Sequence, residues 1–191
     1  MTIVYFVRHA QPNIDIHNDA MRPLSVKGLE DREKLVFYFK QKKVDVAYSS
    51  PFKRAIETID PIVKDKRISY LIDENLRERK IGNEWITNFN DYCKKQWENF
   101  EYHLSNGESL KKVQYRNIKA LENIIEKNLN KTIIVGSHGT AIGTIINYYD
   151  SSFTYEKFVK IQPLMPFIIK AEFKVLVLKE YHLIDLDFFL R

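Results

Sequence analysis

A single cysteine, Cys93, in 191 residues excludes an internal disulfide. It suits a reducing compartment, and its expected role is packing on a helix rather than catalysis. No stretch approaches the roughly 20 apolar residues of a membrane-spanning helix, so no membrane partner is expected. No basic leader with an apolar run and cleavage site stands ahead of the first strand-like segment, and a cytoplasmic protein is expected. Low-complexity tracts, internal repeats and linkers are missing too. With 45% hydrophobic residues, the chain is expected to form one domain over residues 1–191 with a full core. The formal charge of +5 does not gather into a nucleic-acid footprint. The basic clusters at residues 40–43, 64–67 and 77–80 are short, and no recognition motif accompanies them. The surplus reads as a solvated surface with some attraction for anionic substrates. No Asp/His cluster has metal-ligand spacing, so no metal is implied.

Strand and helix alternate along the chain, the pattern of an α/β fold with a mostly parallel sheet. The run Ile3-Val4-Tyr5-Phe6-Val7 is short, β-branched and aromatic, hence a buried strand, and it ends in Arg8-His9. In open α/β sheets, ligands bind in the crevice outside the carboxyl ends of the strands. Taken alone, the Arg-His pair is more simply a pair of charges ending a strand in solvent. Other junctions deliver matching groups. Val44-Asp45-Val46-Ala47-Tyr48 ends in Ser49-Ser50-Pro51, with Arg54 near the start of the next helix. Ser49 or Ser50 is a natural N-cap there, and Pro51 is tolerated in a first helical turn. Ile68-Ser69-Tyr70-Leu71-Ile72 precedes Leu76-Arg77-Glu78-Arg79-Lys80. Thr132-Ile133-Ile134-Val135 leads into Gly136-Ser137-His138-Gly139, whose glycines allow a tight strand-to-helix turn. A cation or imidazole at any one junction is ordinary. Arg8, His9, Arg54, Glu78 and His138 together on one end of one sheet are not.

Helical apolar spacing marks residues 25–42, with Ser25 as N-cap, and residues 51–65, 108–128 and 139–148. Residues 84–102 read as an aromatic-rich helix. The segments 167–173 and 174–184 alternate like strands that complete the sheet edge.

In its ordered motifs the chain resembles the histidine phosphatase superfamily, the phosphoglycerate-mutase-like fold. Arg8-His9-Ala10 corresponds to the family's Arg-His-Gly, and Leu24-Ser25-Val26-Lys27-Gly28 to its Leu-Ser/Thr-x-x-Gly. Ser49-Ser50-Pro51-Phe52-Lys53-Arg54-Ala55-Ile56-Glu57-Thr58 matches Ser-Ser-Pro-x-x-Arg-Ala-x-x-Thr. Leu76-Arg77-Glu78, Gly107-Glu108-Ser109 and Ser137-His138-Gly139 follow in the family's order. The resemblance implies a three-layer sandwich, a mostly parallel sheet flanked by helices. It implies that His9 is the nucleophile, that Arg8, Arg54 and His138 bind the phosphoryl group, and that Glu78 is general acid and then base. No metal or cofactor is implied, since the arginines supply the charge.

The chemistry asks for a neutral imidazole at His9, and the neighbouring cations Arg8, Arg54 and His138 are expected to keep it unprotonated. Arg77 and Arg79 flank Glu78 and are expected to point outward, since inward they would hold it ionised. Three departures touch the substrate pocket: Ala10 for glycine, Pro12 for the usual Thr, and Asp15 where Asn is frequent. Ala10 fits if its φ stays negative, and Gln11 or Asn13 is expected to supply the contact that Pro12 cannot. Gln11, Asn13 and Gly139 are the candidate substrate contacts. The tryptophan expected shortly after Gly82 is displaced by one position, to Trp85. His17, His103 and His182 read as surface or packing residues.

The function implied is a phosphomonoesterase of histidine acid-phosphatase type, acting on a small phosphorylated metabolite. The alternative is a cofactor-dependent phosphoglycerate mutase using the same phosphohistidine. The short stretch between Glu78 and His138 favours the phosphatase. A non-catalytic binding module ranks last, because none of the five catalytic positions is damaged. The expected partner is a small-molecule phosphate ester, with the chain a monomer or homodimer.

Overall fold

The computed structural model describes residues 1–83 and 86–186. Glu84 and Trp85, read above as a helix start and a displaced tryptophan, lie outside the described residues. Six strands form one sheet: β1 (Thr2–Arg8), β2 (Val46–Ser49), β3 (Tyr70–Ile72), β4 (Thr132–Ser137), β5 (Phe167–Lys174) and β6 (Val177–Ile184). Their order is β3-β2-β4-β1-β5-β6. The first four run parallel, and β5 and β6 are added antiparallel at one edge.

The helices are α1 (Val26–Asp31), α2 (Glu33–Phe39), α3 (Lys53–Lys66), α4 (Phe89–Glu98), α5 (Leu110–Lys127), α6 (Gly139–Tyr149) and α7 (Tyr155–Ile161). Alternation along β1 sorts them into two layers. Val4 and Phe6 join the core made with α5, α6 and α7, while Tyr5 and Val7 join the core made with α2 and α3. Every one of these four is at most 6% exposed. Period-2 patterning with both faces covered is what a central strand of a parallel sheet requires. Burying each such side chain contributes about 1.5–3 kcal/mol. The expected three-layer sandwich is present.

Several boundaries differ from the sequence reading. The stretch 25–42 is two helices, α1 and α2, because the ladder tightens at Arg32, whose N–H turns to the carbonyls of Glu30 and Gly28. Ser25 caps α1 as expected, its Oγ accepting from the Gly28 N–H at 3.0 Å. Neither Ser49 nor Ser50 is the N-cap of α3. Phe52 holds that position, and Pro51 lies ahead of the helix. Ser50 Oγ accepts from the Phe52 N–H at 3.2 Å, two residues ahead of the cap position. Glu108 precedes α5, whose cap is Ser109. The turn between the last two strands occupies residues 175–176, and α7 was not anticipated at all.

Candidate active site

Strand register sets the site. Ser49 of β2 is level with Gly136 of β4, and Arg8 of β1 with Ser137. Two backbone hydrogen bonds carry the ladders one residue further: His9 N–H to Ser137 O at 3.1 Å and Ser50 N–H to Gly136 O at 2.8 Å. His9, Ser50 and His138 therefore leave the sheet side by side. The loops beyond them enclose a cleft of about 1010 Å³. Arg8, His9, Arg54, Glu78 and Gly139 line it, with Gln11 and Asn13 at the β1 end. His138 is fully buried, its ring centroid 5.2 Å from that of His9. All five predicted catalytic positions are thus gathered from four separate strand ends.

His9 is 7% exposed, and its Nδ1 lies 2.7 Å from the carbonyl oxygen of Ala10. A carbonyl can only accept, so the ring proton sits on Nδ1 and the lone pair on Nε2. Burial, with the charges of Arg54 and Arg8 behind it, holds the His9 pKa well below the ordinary histidine value. The cations alone were expected to do this; burial is the larger cause, with the ring set into the cleft floor. Ala10 keeps a negative φ and is fully buried. Its N–H donates to Thr58 Oγ1 at 3.0 Å, which fixes the nucleophile loop on α3.

Arg8 donates through Nη1 to the carbonyls of Gln162 and Leu164, the latter at 2.9 Å. Its Nε is buried without a partner. The same edge lies against Gly139, where a Cβ would meet Arg8 Nε at 3.0 Å. Gly139 therefore serves by leaving room for this guanidinium. Burial pulls the Arg8 pKa down to about 10, so it remains a cation, and the Glu78 carboxylate opposes the shift. Arg54, 4% exposed, donates through Nη1 to the backbone and carboxylate of Asp19, the latter at 3.1 Å. Its other donors have no hydrogen-bond partner among the described residues.

Glu78 accepts from the Arg79 N–H through one carboxylate oxygen at 2.8 Å and from the Thr140 N–H through the other at 3.1 Å. Its carboxylate acts on both Arg8 and Arg54. Arg77 is turned to Glu108 at 3.1 Å, away from the acid. Arg79 is not: it is 3% exposed and lines the cleft. The expectation that both arginines point outward fails there, because its guanidinium is taken up by Thr140 Oγ1 at 2.6 Å and Cys93 Sγ at 3.0 Å. His138 Nε2 lies 2.7 Å from Ser50 Oγ, its Nδ1 has no partner, and burial holds its pKa well below the ordinary value.

Gln11 and Asn13 reach the cleft with part of their polarity already used. Ser25 Oγ donates to Gln11 Oε1 at 3.0 Å, and the Asp15 N–H donates to Asn13 Oδ1 at 3.0 Å. A Cβ on Gly28 would stand 2.1 Å from the Gln11 carbonyl oxygen, which explains the glycine in that motif. His17, expected to be a surface or packing residue, is exposed and borders the cleft. Sequence reasoning missed Asp19, Arg22, Ser50, Thr58, Arg79 and Thr140. Thr58 stood inside a matched motif with no role given to it, and the two residues of the 10–24 loop carried no signal. Among the described residues, no group of three His, Cys, Asp or Glu is gathered to hold a metal ion. Nor is any helix there long and apolar enough to cross a membrane.

An imidazole with a free lone pair thus stands between two guanidinium groups, faced by a carboxylate, at the C-terminal ends of the parallel strands of an α/β fold. The sequence matches the histidine phosphatase superfamily (branch 1) over residues 4–163, and the chain belongs to that family. Phosphoglycerate mutase-like protein 4 of Arabidopsis thaliana is 31% identical over 149 residues, 72% of this chain and 62% of its own length. The chain thus spans less than two thirds of that relative. Among solved structures, a histidine-to-alanine mutant of phosphoserine phosphatase from Entamoeba histolytica, in complex with phosphoserine, superposes with a TM-score of 0.74 at 24% identity. That match covers 95% of this chain and 96% of the other. Bacillus stearothermophilus YhfR gives 0.76 at 20% identity, covering 94% and 95%.

Proposed function

We propose that this chain is a phosphomonoesterase that works through a phosphohistidine on His9. The observation that carries it is the His9 ring: Nδ1 tied to the Ala10 carbonyl, Nε2 free, and the ring held neutral between Arg8 and Arg54. Nε2 attacks phosphorus as the bond to the leaving oxygen breaks, and Glu78, which takes up a proton as the phosphate dianion binds beside it, gives that proton to the oxygen. Water then attacks the phosphohistidine, Glu78 takes the proton, and orthophosphate leaves. The unpaired Nε edge of Arg8 and the remaining donors of Arg54 hold the equatorial oxygens, a task suited to planar forks that stay charged. In this reading Ser50 Oγ, which accepts from the Phe52 N–H, donates its O–H in a hydrogen bond to His138 Nε2. That leaves a proton on His138 Nδ1 as a further donor to the charge that builds on the phosphoryl group.

The Entamoeba histolytica phosphatase with this fold has also been solved in complex with 3-phosphoglyceric acid. Phosphoserine and 3-phosphoglycerate are therefore the first substrates to test. Rapid quench with labelled substrate is expected to trap acid-labile, alkali-stable phosphate on the peptide containing His9, and His9→Ala to abolish turnover. Label on Ser49, Ser50 or Ser137 would overturn the assignment. Transfer of the trapped group back to phosphoglycerate rather than to water would make the chain a mutase.

A further inference from the structure

Arg79 is a buried cation that the proposed phosphoryl chemistry does not use. Of the arginines lining the cleft, Arg22 and Arg54 share the Asp19 carboxylate. Arg8 and Arg79 make no ion pair among the described residues. Arg8 borders the nucleophile and is accounted for by the phosphoryl group. Arg79 projects from the residue after Glu78 and rests on Thr140, whose N–H holds the Glu78 carboxylate.

Its surroundings are poor compensation for a buried charge. The partners are a hydroxyl and a thiol, the latter a weak acceptor, and Nε is buried with none. The rings of Phe89 and Tyr92 stand 5.4 Å and 5.5 Å from the guanidinium carbon. A guanidinium so desolvated, on a residue that lines the cleft and with its Nε–H unpartnered, lacks one anionic partner. Glu78 is not that partner: its two oxygens accept from the Arg79 and Thr140 backbone N–H groups, and neither is paired with the Arg79 guanidinium.

We propose that Arg79 is a specificity residue that binds a carboxylate of the substrate, borne on the leaving group a few bonds from the ester oxygen. The proposal rests on the phosphatase reading in one respect: Glu78 at the leaving oxygen puts its chain neighbour beside the rest of the leaving group. A single guanidinium edge, walled by Phe89 and Tyr92, suits a planar carboxylate of one charge.

The test compares two ligands of the same carbon skeleton, 3-phosphoglycerate and glycerol 3-phosphate, which has a hydroxymethyl group in place of the carboxylate. Calorimetric titration into the His9→Ala protein measures binding without turnover. With Arg79 present, 3-phosphoglycerate is expected to bind at least about 30-fold more tightly, as for a desolvated charge-assisted pair. In Arg79→Gln, and in Arg79→Met should the first variant fold poorly, that ratio is expected to collapse toward one. Equal affinity for the two ligands with Arg79 present, or a ratio that survives its replacement, overturns the proposal. Turnover of p-nitrophenyl phosphate by the chain with His9 intact tests the phosphatase reading separately, since that ester has no carboxylate.

Discussion

Arg54 shows how one side chain divides its donors. Nη1 is committed to Asp19, on the loop between β1 and α1, at 3.1 Å from the carboxylate. The rest of the fork faces the cleft. A lysine cannot hold the loop and contact a phosphoryl oxygen at once, because its charge is a single point. Arg54→Lys is expected to lower kcat/KM for an aryl phosphate by roughly 10²–10³, about 3–4 kcal/mol of transition-state stabilisation. Steady-state rates check this, and near-full activity would remove Arg54 from the phosphate ligands. The identity of Arg54 was legible in the sequence from the Ser-Ser-Pro motif. Its partner was not, since Asp19 lies 35 residues away in a loop without periodicity.

Two elements depend on side chains from elsewhere to keep their shape. In α3, Pro61 has no N–H for the Glu57 carbonyl, and Arg32 Nη1 donates to that carbonyl at 2.7 Å instead. The loop carrying Glu78 has only the short 3₁₀ turn Glu74–Leu76 of its own. Arg116, from α5, pins it by donating to the carbonyls of Asn75 and Arg77 at 2.7 Å each and of Glu78 at 3.1 Å. Glu108 in turn holds Arg116 through both oxygens at 3.0 Å and accepts from the Lys80 N–H at 2.9 Å. Glu108 stands in the Gly-Glu-Ser motif, but nothing in the sequence links it to Arg116 or to the acid loop. Arg116→Gln is expected to destabilise the fold by about 3 kcal/mol, the lower end for breaking a buried pair, since Arg77 still faces Glu108. It should also displace Glu78. Alkyl phosphates, whose leaving oxygen needs the proton, are then expected to lose roughly tenfold more in kcat than aryl phosphates. Denaturant unfolding and a leaving-group series measure the two effects, and equal losses across the series would make Arg116 purely structural.

At the scale of the whole molecule, the strand order β3-β2-β4-β1-β5-β6 puts β1 beside β4, so His9 and His138 meet from neighbouring strands. The strands were legible because a short, unbroken apolar run is what a strand covered on both faces must have. The site was legible because each junction carries its residues in a short motif. The inward turn of Arg79 was not, because it depends on Cys93 and Thr140, 14 and 61 residues away. Having two buried imidazoles at the ends of the two central strands carries a cost in acid. Burial leads in holding both pKa values well below the ordinary value near 6.5, and Arg54 follows in each case. In the unfolded chain the same histidines titrate near 6.5. Between the folded and unfolded values the unfolded state binds more protons, so stability rises with pH. The contribution is complete above the unfolded value and is lost progressively as pH falls below it toward the folded values. Each histidine is expected to add a slope of up to about 1.4 kcal/mol per pH unit in that window. Unfolding free energies measured from pH 7.5 to pH 5 are expected to fall accordingly, and His138→Gln should flatten the slope by up to half. A wild-type curve that is flat through that range would mean that both rings are protonated in the folded protein as readily as in the unfolded chain, and would remove the neutral nucleophile with them.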